Sequence, residues 1–398
     1  MERLEASALA QELESLELRH QRRRRRTVGA LPDPDHTERV ALGGRELTNF
    51  CSNDYLGLRT HALLIRAANE SMQQHGLGAG AAHLICGHSI EHAALELELA
   101  EFLGRERALL FSSGYLANLG VLSALASRHD LIVADRLNHA SLLDGARLAG
   151  ARLRRYPHGD IESCARLLES HGGARLIVTD GVFSMDGDVA PLRALAALAQ
   201  RHGAWLVVDD AHGIGVLGAQ GHGALEQAGL DAHSVPVLIG TLGKAFGSFG
   251  AFVAGDAVLI DTLVQRARTY VYTTALPPAI AAAARAALGL AQREPWRRRH
   301  LLRLVERFRA GAIALGLPLL PSATPIQPLI VGDSARALAL SDELLRSDLW
   351  VSAIRPPTVP QGGARLRVTL SAAHSEAQVD VLLAGLGEVF ARETVGVG

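Results

Sequence analysis

The run Trp205-Leu206-Val207-Val208-Asp209-Asp210-Ala211-His212-Gly213 passes from an apolar strand straight into two carboxylates and an imidazole. Open α/β sheets bind ligands at such strand ends, in the crevice outside the carboxyl edge. Similar apolar runs lie on both sides of it in the chain: Ala108 to Phe111, Leu131 to Val133, Leu176 to Val178, Val237 to Ile239 and Ala251 to Val253. From about residue 50 they alternate with helix-forming stretches. That rhythm predicts an α/β fold, a mainly parallel sheet covered by helices on both faces.

Two more strand ends carry chemistry. Thr241-Leu242-Gly243-Lys244-Ala245-Phe246-Gly247 places a lysine among small residues just after the apolar run Pro236 to Ile239. An amine so close to a core is costly unless paired, solvated or covalently engaged, and its small neighbours leave room for a flat, bulky group. An ordinary surface lysine on a turn is the alternative. A Walker phosphate loop fits poorly, because Ala245 replaces the magnesium-binding hydroxyl and Leu238 stands where the first glycine belongs. Ser112-Ser113-Gly114-Tyr115 follows the strand Ala108 to Phe111 and precedes a helical stretch from about Leu116, the setting of a phosphate cradle. Pyridoxal phosphate needs an imine-forming lysine, an acid for its pyridine nitrogen and a phosphate cradle. Lys244, Asp209 and Ser112 to Tyr115 supply the three.

These residues, with Asn49 to Leu58, Asn138-His139-Ala140-Ser141-Leu142, Gly181 to Asp188 and Ile354-Arg355-Pro356-Pro357-Thr358-Val359-Pro360, resemble the α-oxoamine synthases of the fold-type I pyridoxal phosphate enzymes. The resemblance covers nearly the whole chain. It implies a seven-stranded-type, mainly parallel sheet and a smaller α+β C-terminal domain. The expected divisions are an N-terminal helix and extension (1–50), a large cofactor-binding domain (51–290) and a small domain (291–398).

By that resemblance Lys244 holds the cofactor as an imine and then serves as the base for the α-proton, while Asp209 keeps the pyridine nitrogen protonated. His212 and Ser184 would hydrogen-bond the phenolic oxygen, and His139 would stack on the ring. The N–H groups of Gly114 and Tyr115 and the Thr241 hydroxyl would hold the phosphate, with Thr273 or Thr274 reaching in from the partner of a homodimer. Arg367 is in place for an amino acid carboxylate, whereas Arg365 is expected to be solvated at a strand edge. The implied reaction is a decarboxylative condensation of an amino acid with an acyl thioester. Arg355 favours L-alanine with a pimeloyl thioester, carried by coenzyme A or acyl carrier protein, because an arginine there suits the far end of a dicarboxylic chain. Thr358 and Arg23, or else Arg24 from the same run, would also touch substrate. Relatives joining glycine to acetyl-CoA or succinyl-CoA, or serine to a long acyl chain, are the alternatives. The loop Gly76 to Leu84 departs from the family by placing alanines where hydroxyls are usual.

Composition narrows the setting. The chain has 398 residues, 48% of them hydrophobic, enough for a large core and more than one domain. A net charge of −1 gives no global reason to expect a nucleic acid or membrane partner. No segment is apolar for long enough to span a bilayer. Cys51, Cys86 and Cys164 lack metal-site spacing, which suits three structural thiols in a reducing cytoplasm, and no metal is expected. The run Arg22 to Arg26 follows several glutamates, unlike a transit peptide, and reads as the basic end of a helix spanning residues 1 to about 26 that Pro32-Asp33-Pro34-Asp35 then stops. An alanine-rich helix from Pro277-Pro278 towards Pro295 reads as the bridge to the C-terminal part. There the pattern predicts strands at 326–331, 350–354 and 365–370 and helices at 335–345 and 376–390.

Gly213-Ile214-Gly215-Val216-Leu217-Gly218 has the dinucleotide-binding spacing, which makes an NAD-dependent oxidoreductase the alternative from another reaction class. The fingerprint needs a helix to open at its third glycine. Here Ala219 to Gly223 continues as loop sequence with two more glycines.

Overall fold

Strands apolar along their whole length belong in a sheet covered on both faces, and such a sheet dominates the chain. The computed structural model describes residues 6–29, 33, 36–171 and 173–395. It divides into two units, one of Asp54–Ser184 with Asp188–Arg299 and the other of the residues up to Asn53, Met185–Gly187 and those from His300 onward.

The first unit holds a seven-stranded sheet in the order Arg107–Phe111, Ala251–Gly255, Val237–Thr241, Trp205–Asp209, Ala174–Asp180, Leu131–Asp135, Arg152–Tyr156. Neighbours run parallel, except that Ala251–Gly255 is antiparallel to the strand on each side. Ile132, Val207 and Ile239 form a core with Val121, Leu142 and Leu263 from three helices. The alternate residues Val133, Val208 and Leu238, which point to the opposite face, are just as buried. Six of the strands fall on the predicted apolar runs. The seventh, Arg152–Tyr156, was not expected from its polar sequence; as an edge strand it buries only Tyr156.

The single antiparallel strand matters for the site. Because Thr241 pairs with Ala251, residues 242–250 must turn back on themselves, and Lys244 lies in that turn. Gly247 has φ +61, and a Cβ there would collide with the backbone of Leu58 and Arg59, so the turn requires glycine.

In the second unit, Arg39–Leu42 pairs antiparallel with Arg45–Asn49, which pairs parallel with Leu349–Trp350. A separate sheet places Ala364–Thr369 between Ile326–Gly332 and Ser352–Ile354. The strand predicted over 350–354 is thus two short strands serving different sheets. The N-terminal hairpin that claims the first of them has no strong apolar alternation to announce it. Every residue of the central strand Ala364–Thr369 is buried. Arg365 is therefore not solvated as expected; its Nη1 donates to Asp186 Oδ1 at 2.6 Å.

The N-terminal helix, Ala6–Leu18, ends well before Arg26. Continuing it would stack the arginines at helical i,i+3 and i,i+4 spacing. Instead Arg24 and Arg22 lie 2.9 Å and 3.5 Å from Glu17. Pro32, Pro34 and Asp35 of the expected stop lie outside the described residues. The alanine-rich helix is present as Pro278–Arg293, and the division between units falls within the next helix, Trp296–Ala314. The described residues up to Asn53 group with those from His300 onward. Of the cysteines, Cys164 is buried, Cys51 partly so, and Cys86 is exposed, so Cys86 lacks the packing role expected of it.

His374 ties the second unit together. Its ring stacks on Phe50 at 4.4 Å, Nδ1 accepts from the Ser371 N–H at 3.0 Å and Nε2 donates to the Asn49 carbonyl at 3.1 Å. Burial pushes its pKa down to about 4. A histidine whose folded pKa lies below its unfolded value stabilises the fold above about pH 6.5, and that contribution is lost as pH falls towards 4. The stability advantage of the parent over His374→Gln, measured by urea unfolding, should therefore narrow by about 2 to 3 kcal/mol between pH 7 and pH 4.5. A gap independent of pH would contradict the buried neutral ring.

Candidate active site

The carboxyl ends of the strands in the large sheet bring the predicted cofactor residues together. Asp209 ends its strand and is 6% exposed. Its Oδ1 accepts the Ala211 N–H at 3.0 Å, and its Oδ2 accepts Asn118 Nδ2 at 2.6 Å. Asn118 also donates to Ser141 Oγ at 2.7 Å, and that hydroxyl lies 2.6 Å from His139 Nδ1. His139 caps the helix Ala140–Leu148, and its backbone N–H donates to Asp180 Oδ2 at 2.7 Å.

Asp180 pairs in register with Asp209 on the adjacent strand. Burial first, and then the neighbouring charge of Asp209, raise the Asp180 pKa well above the carboxylate range. Burial lowers the pKa of His139, with Asp209 opposing that shift and Lys244 adding to it.

Lys244 is the only lysine in the chain, one primary side-chain amine among 40 basic residues. Its Nζ lies 2.8 Å from His212 Nε2, and His212 Nδ1 lies 2.6 Å from the hydroxyl of the fully buried Tyr55. When an ammonium at Lys244 donates to Nε2, the histidine must carry its proton on Nδ1, with the Tyr55 oxygen as acceptor.

Ser113 caps the helix Gly114–Leu125. The N–H groups of a helix's first turn have no partners within the helix, and a Cβ built on Gly114 would meet nothing within 4 Å. An open helix N-terminus is thus available to an anion. Tyr115 is exposed, and its hydroxyl donates to Asp144. Thr241 Oγ1 donates to the Gly250 carbonyl at 3.0 Å and accepts the Gly243 N–H at 3.2 Å. Ser184 is partly exposed, and Thr274 is exposed and bridges to Ala82.

The expected substrate residues lie in the second unit. Arg23 Nη2 donates to Thr358 Oγ1 at 2.9 Å, while Arg24 Nη2 donates to Glu17 Oε2 at 2.9 Å. Arg355 Nη1 donates to the His20 carbonyl at 2.6 Å. Burial and then the charge of Arg23 lower the Arg355 pKa. Arg367 is buried, donating to Thr369 Oγ1 at 2.8 Å and to Asn53 Oδ1 at 3.3 Å.

Sequence reasoning missed Tyr55, Asn118 and Asp180. Signals existed: Asn118 is a fully buried amide in a mostly apolar helix, and Asp180, like Asp209, follows an apolar strand segment. The glycines of Gly213 to Gly218 have another purpose than a dinucleotide. The chain stays in loop until the helix Ala224–Ala228, and a Cβ at Gly213 would strike the buried Asp210 carboxyl, whose pKa burial raises to about 8. His83, His88 and His92 also cluster, with potential ligand atoms within 4.8 Å of one another. Both ring nitrogens of His92 are nevertheless engaged, by Ser89 and by the Leu276 carbonyl.

An amine, a buried carboxylate, an imidazole and an open helix N-terminus at the ends of one sheet form the donor set that pyridoxal phosphate requires. The family model for aminotransferase class I and II matches residues 45–386. An 8-amino-7-oxononanoate synthase of Alkalilimnicola ehrlichii is 62% identical over 88% of this chain and 90% of its own. One of Methylococcus capsulatus is 58% identical over 98% of each. The chain belongs to the 8-amino-7-oxononanoate synthase family, within the class I and II aminotransferases. Serine palmitoyltransferase of Sphingomonas wittichii has the same fold, with a TM-score of 0.91 and 32% identity over 98% of both chains. The family's cofactor is pyridoxal 5'-phosphate.

The network around Asp209 makes a graded prediction. Asp209→Asn should slow exchange of alanine's α-proton in deuterated water by about a hundredfold or more, because a neutral amide cannot hold the ring nitrogen protonated. Asn118→Ala removes one donor from the Asp209 carboxylate, and should cost roughly tenfold. Near-normal exchange in Asp209→Asn would contradict the pairing.

Proposed function

We propose that the chain joins L-alanine to a pimeloyl thioester, releasing carbon dioxide and the thiol carrier and giving 8-amino-7-oxononanoate, a step of biotin biosynthesis. The observation that carries the choice of acyl group is the meeting of Arg23 and Arg355 near Thr358. Neither has a carboxylate partner among the described residues, whereas Arg22 and Arg24 are paired with Glu17 and Arg26 with Asp342. Two cations left uncompensated, one with its pKa pushed down by burial and then by the other's charge, favour an anion between them. The distal carboxylate of a pimeloyl chain fits; an acetyl group or a fatty chain does not.

Pyridoxal phosphate, when bound, supplies the electron sink that lets alanine lose its α-proton. Lys244 would hold it covalently and, as a free amine, would take the α-proton of alanine on Nζ. The Tyr55 hydroxyl orients His212, which with Ser184 would hydrogen-bond the cofactor's phenolic oxygen. His139 would stack on the ring, and Asp209 would keep the ring nitrogen protonated. The Gly114 and Tyr115 N–H groups and the Thr241 hydroxyl would hold the phosphate, with Thr274 from the partner of a homodimer completing the cradle. Arg367 offers a planar fork to the alanine carboxylate. A carbon–carbon bond then forms from alanine Cα to the acyl carbonyl carbon as the thiol leaves; the alanine carboxylate departs as carbon dioxide and a proton takes its place at Cα, with no change in overall oxidation state. Three free thiols favour a cytoplasmic setting.

The test is a matrix of alanine, glycine and serine against pimeloyl, acetyl and succinyl thioesters, with Arg355→Ala beside the parent. Alanine with the pimeloyl thioester should be preferred. The variant should lose about ten to a hundred and fifty fold in kcat/KM for that thioester, and methyl esterification of the distal carboxylate should cost the parent a similar factor and the variant little. Preference for acetyl or succinyl thioesters, or equal use of acid and ester by the parent, would overturn the reading.

A further inference from the structure

A half-buried imidazole outside the catalytic group bridges two carboxylates. His158 Nδ1 lies 3.1 Å from Asp135 Oδ1, and Nε2 lies 2.9 Å from Asp188 Oδ2. With an acceptor on each nitrogen, both carry protons and the ring is cationic. These hydrogen bonds raise its pKa to about 10.

The two carboxylates belong to loops that matter. Asp135 ends its strand and gathers the next turn around itself, accepting the Leu137 N–H at 2.8 Å on Oδ1 and the Gly159 N–H at 2.9 Å on Oδ2. Four residues after Asp135 comes His139, whose neighbour Asn138 donates to the Val178 carbonyl at 2.8 Å. On the other side, the Asp188 carbonyl accepts the Phe183 N–H at 3.0 Å, and Val182 bridges Val189, so the turn bearing Ser184 is closed at its base. The His158 ring also stands edge-on to Phe183, with centroids 4.4 Å apart.

We propose that His158 is a positioning residue whose two ring N–H groups, spanning Asp135 and Asp188, set the turns that present His139 and Ser184 to the cofactor. It acts through those side chains and touches neither cofactor nor substrate. The inference rests on the pyridoxal phosphate reading above.

The test is cofactor affinity of the apoprotein, with the circular dichroism of the bound chromophore as a second readout. His158→Gln, and Asp188→Asn as a gentler variant that keeps the loop's size, should each raise the Kd for pyridoxal phosphate by about tenfold and alter the visible dichroism. Combining either with Ser184→Ala should be non-additive by at least about threefold, since the serine is already displaced. Combining either with Thr241→Ala should be additive. Additivity in both cycles, or an unchanged dichroism, would overturn the proposal and leave His158 a stabilising ion bridge only. Failure of the unaltered apoprotein to bind pyridoxal phosphate would instead sink the cofactor reading, and this inference with it.

Discussion

Asp209 sits at the buried end of a central strand, where an ionised carboxylate is stable only if donors replace the water it has lost. The Ala211 N–H and Asn118 are two such donors, and much of the site follows from recruiting them. Asn118 reaches the strand end because Ser113 caps its helix there, so the helix that supplies an open N-terminus also supplies the donor to the acid. Its second hydrogen bond passes to Ser141 and on to His139. The electrostatic cost appears on the adjacent strand, where Asp180 in register with Asp209 is driven towards its protonated form. Lys244 is placed by the one reversal of strand direction in the sheet and held against His212.

The second unit handles charge differently. Arg365 is buried against Asp186, a pair in which each ion compensates the other. Arg23 and Arg355 are left facing hydroxyl and carbonyl oxygens, which solvate cations without neutralising them. The contrast within one unit is between an arginine neutralised by a carboxylate and two that meet only neutral oxygens.

The sequence made much of this legible because buried parallel strands must be apolar, and the functional residues are the polar ones that interrupt them. Asp209, His212 and Lys244 stood out for that reason. Arg152–Tyr156 stayed hidden because an edge strand need bury only one side chain. The split of 350–354 was hidden because it depends on a pairing with residues some 300 positions away. Tyr55 lay inside a motif that had been noticed, yet its bond to His212 spans 157 positions and has no local pattern. Gly213 to Gly218 imitates a dinucleotide fingerprint by spacing alone, since a glycine spared for a buried aspartate looks the same in sequence as one spared for a pyrophosphate; the loop sequence that follows is what told them apart.

The central claim is that Lys244 is a covalent anchor, and the absence of any other lysine from the sequence makes its measurement unusually clean. Borohydride reduction of the purified protein with pyridoxal phosphate, followed by peptide mapping, should fix one cofactor per chain on the peptide containing Lys244. Lys244→Arg should retain none after the same treatment. Attachment that survives in the variant, or is found only at the chain's α-amine, would contradict the account.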